Sequence, residues 1–249
     1  MPKHLFLLSP PLCGSTVIAE LMRTSPHVTV FPGNGEGQFL SEAKDILFVE
    51  ERWNPDLIVD WKTIKQIFLK NWNPAKAVRF EKSPPNIVRA IDLQRTFENT
   101  SFLVTIRNPY AQIEGLLRRE WPFNQYGPGS KSSVPTAPKT TAEFWIKTAQ
   151  YQKSNLEQLK NTCFFSYEEL TENPHKTIQK ILKFFPDIAF LDQRKEFTAH
   201  NITQKPIQGL RNLNQEKINR LSQQQIGEIN DVLCQHRDLL DYFQYGMII

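Results

Sequence analysis

Residues 4–18, His4-Leu-Phe-Leu-Leu-Ser-Pro-Pro-Leu-Cys-Gly-Ser-Thr-Val-Ile18, constrain the fold of this chain more than any other stretch. An apolar run is stopped by Pro10-Pro11 and turned at Gly14. Small hydroxyl residues follow, then an apolar run compatible with a helix. Such a strand–turn–helix unit sets a helix N-terminus at the carboxyl end of a strand. That is the layout of a phosphate-binding loop, in which backbone N–H groups cradle an anion. The turn has no Gly-Lys-Ser/Thr ending, so the common nucleotide-triphosphate loop is not matched. It also carries no basic residue, so the positive charge for an anion must come from elsewhere in the chain.

The pattern continues beyond the first unit. Short apolar runs recur at Leu5–Leu8, Val28–Phe31, Ala77–Phe80, Phe102–Ile106 and Cys163–Ser166, with longer helical patterns between them. Alternation of this kind implies βαβ units and a mainly parallel sheet. Asn108-Pro109 and Asn173-Pro174 each place an N-cap residue before a proline at the first helical position. After Pro109, Tyr110, Ile113, Leu116 and Leu117 share one helical face; after Pro174, Ile178, Ile181, Leu182 and Phe185 do the same. Asn214 or Ser222 opens closing helices that carry Ile218, Leu221, Ile226, Ile229 and Leu233. The fold class expected is α/β, a three-layer arrangement with a mainly parallel central sheet flanked by helices. At 249 residues the chain reads as one domain, 1–249. Residues 122–139 hold four prolines and two glycines and fit no regular element, which suggests a lid or binding loop. Residues 187–213 also read as irregular.

Composition narrows the function classes. Thirty basic and 26 acidic residues give a net charge of +4, too mild for a concentrated nucleic-acid-binding face and compatible with one anionic small-molecule site. Cys13, Cys163 and Cys234 are far apart and odd in number, forming neither a disulfide framework nor a zinc pattern. A reducing, cytoplasmic setting is the expectation. The Leu5–Leu8 run is too short for a signal-peptide core or a membrane span, and no other stretch approaches spanning length.

Three further constellations carry chemistry. In Phe102-Leu-Val-Thr-Ile-Arg107 a buried strand ends in an arginine, and ligands of parallel α/β sheets bind beyond the carboxyl ends of strands. The Arg107 fork suits a phosphate; the plainer reading pairs it with a surface carboxylate. A strand ending in a cation, rather than in a metal-holding aspartate, argues against magnesium-assisted triphosphate chemistry. In Arg79-Phe-Glu81-Lys82-Ser83-Pro84-Pro85, Lys82 is the nearest source of the charge that the first loop lacks, or a solvated lysine beside a helix start. In Phe165-Ser166-Tyr167-Glu168-Glu169-Leu170, Tyr167 lines a nucleotide pocket or is an ordinary half-buried aromatic.

Together these elements resemble the sulfotransferase family, closest to its bacterial and tyrosylprotein-type members. Pro11-Leu12-Cys13-Gly14-Ser15-Thr16 stands where the family has Pro-Arg/Lys-Ser-Gly-Thr-Thr. Glu20-Leu-Met-Arg-Thr-Ser-Pro-His-Val28 is similar to the helix end before the family's second strand. Glu81-Lys82-Ser83-Pro84 resembles its Asp/Glu-Lys-Thr-Pro element, Arg107-Asn108-Pro109 its arginine-led 3′-phosphate element, and Tyr167-Glu168-Glu169-Leu170 its Tyr-Glu-Asp-Leu. Leu221 to Tyr245-Gly246 is similar to the family's closing helix and its Gly-Tyr end. The resemblance thus spans nearly the whole chain.

It implies a P-loop-type fold and transfer of a sulfuryl group from 3′-phosphoadenosine 5′-phosphosulfate (PAPS) to a small-molecule or peptide hydroxyl or amine. The product nucleotide would be adenosine 3′,5′-bisphosphate (PAP), and no metal is called for. Residues Leu12, Cys13, Gly14, Ser15, Thr16 and Val17 then surround the 5′-phosphosulfate, Arg107 holds the 3′-phosphate and Tyr167 lies near the nucleotide. Lys205 or Arg211 adds a phosphate contact. Lys82 offsets charge on the bridging oxygen. Glu36, the acidic residue after the second strand, takes the acceptor proton, and its bland counterpart is a glutamate favoured by a helix dipole. His27 is the alternative base but precedes the second strand, and His200 has no assigned place. Trp53, Trp61, Trp72 and Trp121 are candidates for the acceptor cleft or for the core. Two positions depart from the family pattern: Leu12 replaces a cation, and Gly115 replaces the serine eight residues after the arginine. The rival readings are a catalytically impaired relative that binds a nucleotide or partner, and an ATP-using P-loop phosphotransferase.

Overall fold

The computed structural model describes residues 2–118, 137–195 and 210–248. Strands β1 (Lys3–Leu8), β2 (Val28–Val30), β3 (Val78–Glu81), β4 (Thr100–Ile106) and β5 (Thr162–Ser166) lie on the five apolar runs. They form one sheet in the order β2-β3-β1-β4-β5, and every neighbouring pair is parallel. Phe6 of β1 sits opposite Glu81 of β3 on one side and Phe102 of β4 on the other.

The unbroken apolar run of β1 reflects burial on both faces, as parallel sheets require. Leu5 and Leu7 join one core layer with Ile18, Leu21 and Met22 of α1 (Ser15–Arg23), and with Ile178 and Ile181. Phe6 and Leu8 join the opposite layer with residues of α2 (Ser41–Leu47), α3 (Trp61–Asn71) and α4 (Ala90–Thr96). All four of these β1 side chains are inaccessible to solvent, and burying each contributes roughly 1.5–3 kcal/mol. A third cluster joins α5 (Pro109–Leu117) and α6 (Pro138–Gln158) to the end of β4. After β5 come α7 (Tyr167–Glu172), α8 (Pro174–Phe184), α9 (Asn214–Ile218), α10 (Gln223–Leu233) and α11 (Arg237–Tyr242), of which α10 and α11 pack into that third cluster.

Helix starts follow the sequence signals in part. Asn108 caps α5, its side chain accepting from the Ala111 N–H at 3.2 Å, and Ser222 opens α10 with a full capping box. Asn173 precedes Pro174 in the same way but makes no side-chain cap bond. Two boundaries shift: α6 already begins at Pro138, and a short 3-10 turn occupies Pro186–Ile188. The lid expected over 122–139 falls mostly outside the described residues, as do Trp121, His200 and Lys205. Among the described residues no helix is long and apolar enough to cross a membrane.

The topology selects one place for a ligand. β1 lies between β3 and β4, with the chain crossing to opposite sides of it, and crevices of doubly wound sheets open at such a point beyond the strand carboxyl ends.

Candidate active site

The β1–α1 loop is a tight turn held in place from beneath. Leu12 and Gly14 both adopt positive φ, 66° and 80°. The Cys13 N–H donates back to the Pro10 carbonyl at 3.3 Å, and the first helical bond of α1 runs from Ile18 N–H to Gly14 O at 3.0 Å. A glycine is required at 14 twice over: a Cβ there would lie 3.1 Å from the Tyr167 ring, in a backbone conformation that side chains resist. The Cys13 side chain turns inward to Gln112 Oε1 at 3.3 Å, and burial pushes its thiol pKa up. Val17 packs on the core. The Leu12 side chain packs with Leu116, Phe144 and Trp53.

Lys82 arrives from the end of β3. It is 2% exposed, and its ammonium lies 2.8 Å from Glu36 Oε1, 3.5 Å from Ser15 Oγ and 3.4 Å from Thr16 Oγ1. The chain thus delivers to the loop a cation that the loop itself lacks. Glu36 is buried, and it also accepts from the Gln38 amide. Beneath this pair, fully buried Glu81 accepts from the Gly37 N–H at 3.0 Å and from the Ser83 hydroxyl and the Asn86 amide. Burial pushes the Glu81 carboxyl up to about 7, with hydrogen bonds from Ser83 and the Gly37 N–H opposing the shift only in part and the Glu36 charge adding to it.

Arg107 arrives from the end of β4, on the other side of the loop. Its Nε donates to Asn214 Oδ1 and its Nη1 to the Leu12 carbonyl, both at 2.8 Å. Its guanidinium lies 3.8 Å over the Tyr167 ring. Tyr167 is buried and fixed in turn, its hydroxyl donating to Arg211 O at 3.0 Å and accepting from Leu213 N–H at 3.1 Å. Its ring is therefore a platform beneath Arg107 and Gly14 rather than an idle aromatic. Although Arg107 is only 4% exposed, its Nη2 has no partner among the described residues.

Other candidates lie elsewhere. The Arg211 side chain is exposed and pairs with Glu216. His27 is exposed at the start of β2, at the far end of the strand from the loop. Trp72 stacks on Phe31 in the core and Trp61 is half-buried in the same cluster. Trp53 meets Phe144 edge-on, in the small cluster against which Leu12 also packs. No group of three or more metal-ligating side chains occurs among the described residues.

Two contributions escape sequence reading. Asn214 holds Arg107 and donates its amide to Glu168, which also accepts from Asn108 N–H at 2.9 Å and the Tyr245 hydroxyl at 2.8 Å. Lys217, from α9, sets its ammonium against Gly115 and beside Leu12.

Comparison with known proteins agrees with this architecture. Residues 3–192 match the model of the sulfotransferase family, and the chain belongs to that family. The fold is similar to the sulfotransferase domain of the Synechococcus PCC 7002 olefin synthase, with TM-score 0.58 and 14% identity over 100% of this chain and 96% of that one. A sulfotransferase from Alicyclobacillus acidocaldarius gives TM-score 0.57 and 13% identity over 99% and 97% of the two chains. The sulfotransferase domain from the curacin biosynthetic pathway gives 0.52 and 17% over 100% and 99%. At these identities the likeness establishes the fold. No individually curated protein matches the chain significantly.

Proposed function

We propose that this protein is a PAPS-dependent sulfotransferase acting on a hydroxyl or amine of a small molecule or peptide. The observation that carries the reading is the convergence of three strand ends on the β1–α1 loop. The loop follows β1, Lys82 follows β3 and touches Ser15 and Thr16, and Arg107 follows β4 and touches Leu12. The buried Nη2 of Arg107, which has no partner among the described residues, fits a phosphate oxygen. On this reading the N-terminus of α1 and the Ser15 and Thr16 hydroxyls receive the 5′-phosphosulfate.

In the transfer, the acceptor oxygen or nitrogen forms a bond to sulfur as the bond from sulfur to the bridging phosphate oxygen breaks. That oxygen leaves with PAP, and its growing charge falls to Lys82. The acceptor proton passes to Glu36, which accepts from Lys82 in the resting site and is released as Lys82 turns to the bridging oxygen. No step calls for a metal.

Isothermal titration with PAP tests the reading. One molecule should bind per chain, and Arg107→Ala should weaken binding by about thirtyfold or more, the loss expected for a charged phosphate contact. Absence of PAP binding would sink it. Binding without sulfuryl turnover on any acceptor class would favour the impaired-relative reading, while magnesium-dependent ATP turnover would revive the phosphotransferase.

A further inference from the structure

The two departures from the family pattern, Leu12 and Gly115, meet at one point in space. A Cβ built on Gly115 would lie 2.9 Å from Leu12 Cδ1 and 2.9 Å from Lys217 Nζ. The missing side chain at 115 is therefore what lets the lysine of α9 reach the loop. Any residue larger than glycine would push against either the leucine or the ammonium.

We propose that Lys217 is a phosphate-reading residue of the donor site and that it binds the 3′-phosphate together with Arg107. This inference rests on the donor reading given above.

The surroundings of Lys217 suit that task. Its ammonium is 3.1 Å from Glu114 Oε2, and the carboxylate of Glu114 is 1% exposed. The same carboxylate is met by Arg118 Nε at 2.6 Å and Arg220 Nη1 at 3.7 Å. Glu114 thus aims the lysine without depending on it, since two arginines remain when Lys217 turns to an anion. Arg107, Arg118, Lys217 and Arg220 outnumber the carboxylates Glu114 and Glu168 that face them, so the cluster carries surplus positive charge. Burial lowers the pKa of Lys217, opposed by the Glu114 carboxylate and aided by the charges of Arg107 and Arg220, and a bound dianion would add a second counter-charge. The Arg107 Nη2 supplies a second buried donor, without a partner among the described residues. One phosphate monoester has the charge and the oxygens to engage both. The hydroxyl this chain lacks at Gly115 is on this account replaced by one lysine from a remote helix, while Lys82 brings the loop the cation that Leu12 does not supply.

The test compares PAP with adenosine 5′-phosphate, which lacks the 3′-phosphate, by isothermal titration on the full chain. Lys217→Gln should weaken PAP about tenfold to a hundredfold and leave adenosine 5′-phosphate within about twofold. Gly115→Ser, which removes no group, should weaken PAP several-fold in the native background and add nothing further in Lys217→Ala. Thermal melts of each variant should show a folded protein, because Glu114 keeps its arginines. Unchanged PAP affinity in Lys217→Gln, or equal loss for both nucleotides, would overturn the assignment while the donor reading stands. Tighter PAP binding by Gly115→Ser would overturn it too. If the native protein binds no PAP at all, the donor reading and this inference fall together.

Discussion

Glu81 is the residue whose chemistry sits most uneasily with its surroundings. Its folded pKa of about 7 is above the ordinary value of 4.5, so the folded state holds this proton more tightly than the unfolded chain does. The stabilisation is complete below about pH 4.5 and lost as pH rises through about 7. A shift of this size corresponds to about 3 kcal/mol at most. We expect the stability of the native protein, measured by urea denaturation, to fall between pH 5 and pH 7.5 relative to Glu81→Gln. Parallel profiles for the two proteins would mean the carboxyl titrates normally. The neighbouring Lys82–Glu36 pair makes the opposite kind of case. Its side chains are 2% and 9% exposed, so removing one partner leaves a buried charge without compensation. Lys82→Ala should cost about 3 kcal/mol, and the double variant Lys82→Ala, Glu36→Gln should recover much of that. Additive losses in the denaturation cycle would show that the two groups do not stabilise each other. The same lysine, if it faces the bridging oxygen, should also govern rate: Lys82→Ala would lower kcat about 100- to 1000-fold.

At the scale of elements, the two Asn-Pro helix starts separate what sequence reads well from what it does not. Both have the same local pattern, yet only Asn108 closes its cap. Asn108→Ala should therefore cost about 1 kcal/mol, and Asn173→Ala clearly less, in thermal unfolding. Equal losses would show that the side-chain bond to Ala111 contributes nothing. The difference arises because a cap depends on backbone angles set by what precedes the helix. Asn108 leaves a strand pinned in the sheet, while Asn173 links two surface helices, α7 and α8. The five strands were legible for a related reason, since burial on both faces forces a continuous apolar run that local composition displays. Arg107 and Lys82 were legible because each directly ends such a run. Asn214 and Lys217 were not. Their partners, Arg107 and Glu114, lie more than 100 residues away in sequence, and the short α9 that carries them has too little apolar pattern to fix its orientation. The Glu81 network was hidden differently, because nothing in a Glu-Lys-Ser string tells which of the charges is buried.

At the scale of the molecule, the site depends on keeping the carboxyl ends of β1 and β4 at a fixed separation, because the loop follows one and Arg107 the other. A single side chain of α6 spans that seam. Gln152, fully buried, donates its amide to the Leu8 carbonyl at 2.8 Å and to the Thr105 carbonyl at 2.7 Å. Ser9 and Thr105 add a hydroxyl contact at 3.2 Å across the same seam. Parallel ladders cannot supply these bonds themselves, since both strands are ending there. Gln152→Leu fills the same space but leaves two buried carbonyls without donors. A loss of about 2–4 kcal/mol in stability follows from that desolvation. In a chain of this length it should lower Tm by about 5–12 °C. The functional consequence is separable from the thermal one. If Gln152 sets the separation of loop and arginine, PAP affinity measured well below the lowered Tm should also fall, by about tenfold, because phosphate groups at both ends of the nucleotide must be met at once. A lower Tm with unaltered PAP affinity would instead show that the seam is held by the core layers packed on either face of the sheet, and that Gln152 contributes to stability alone.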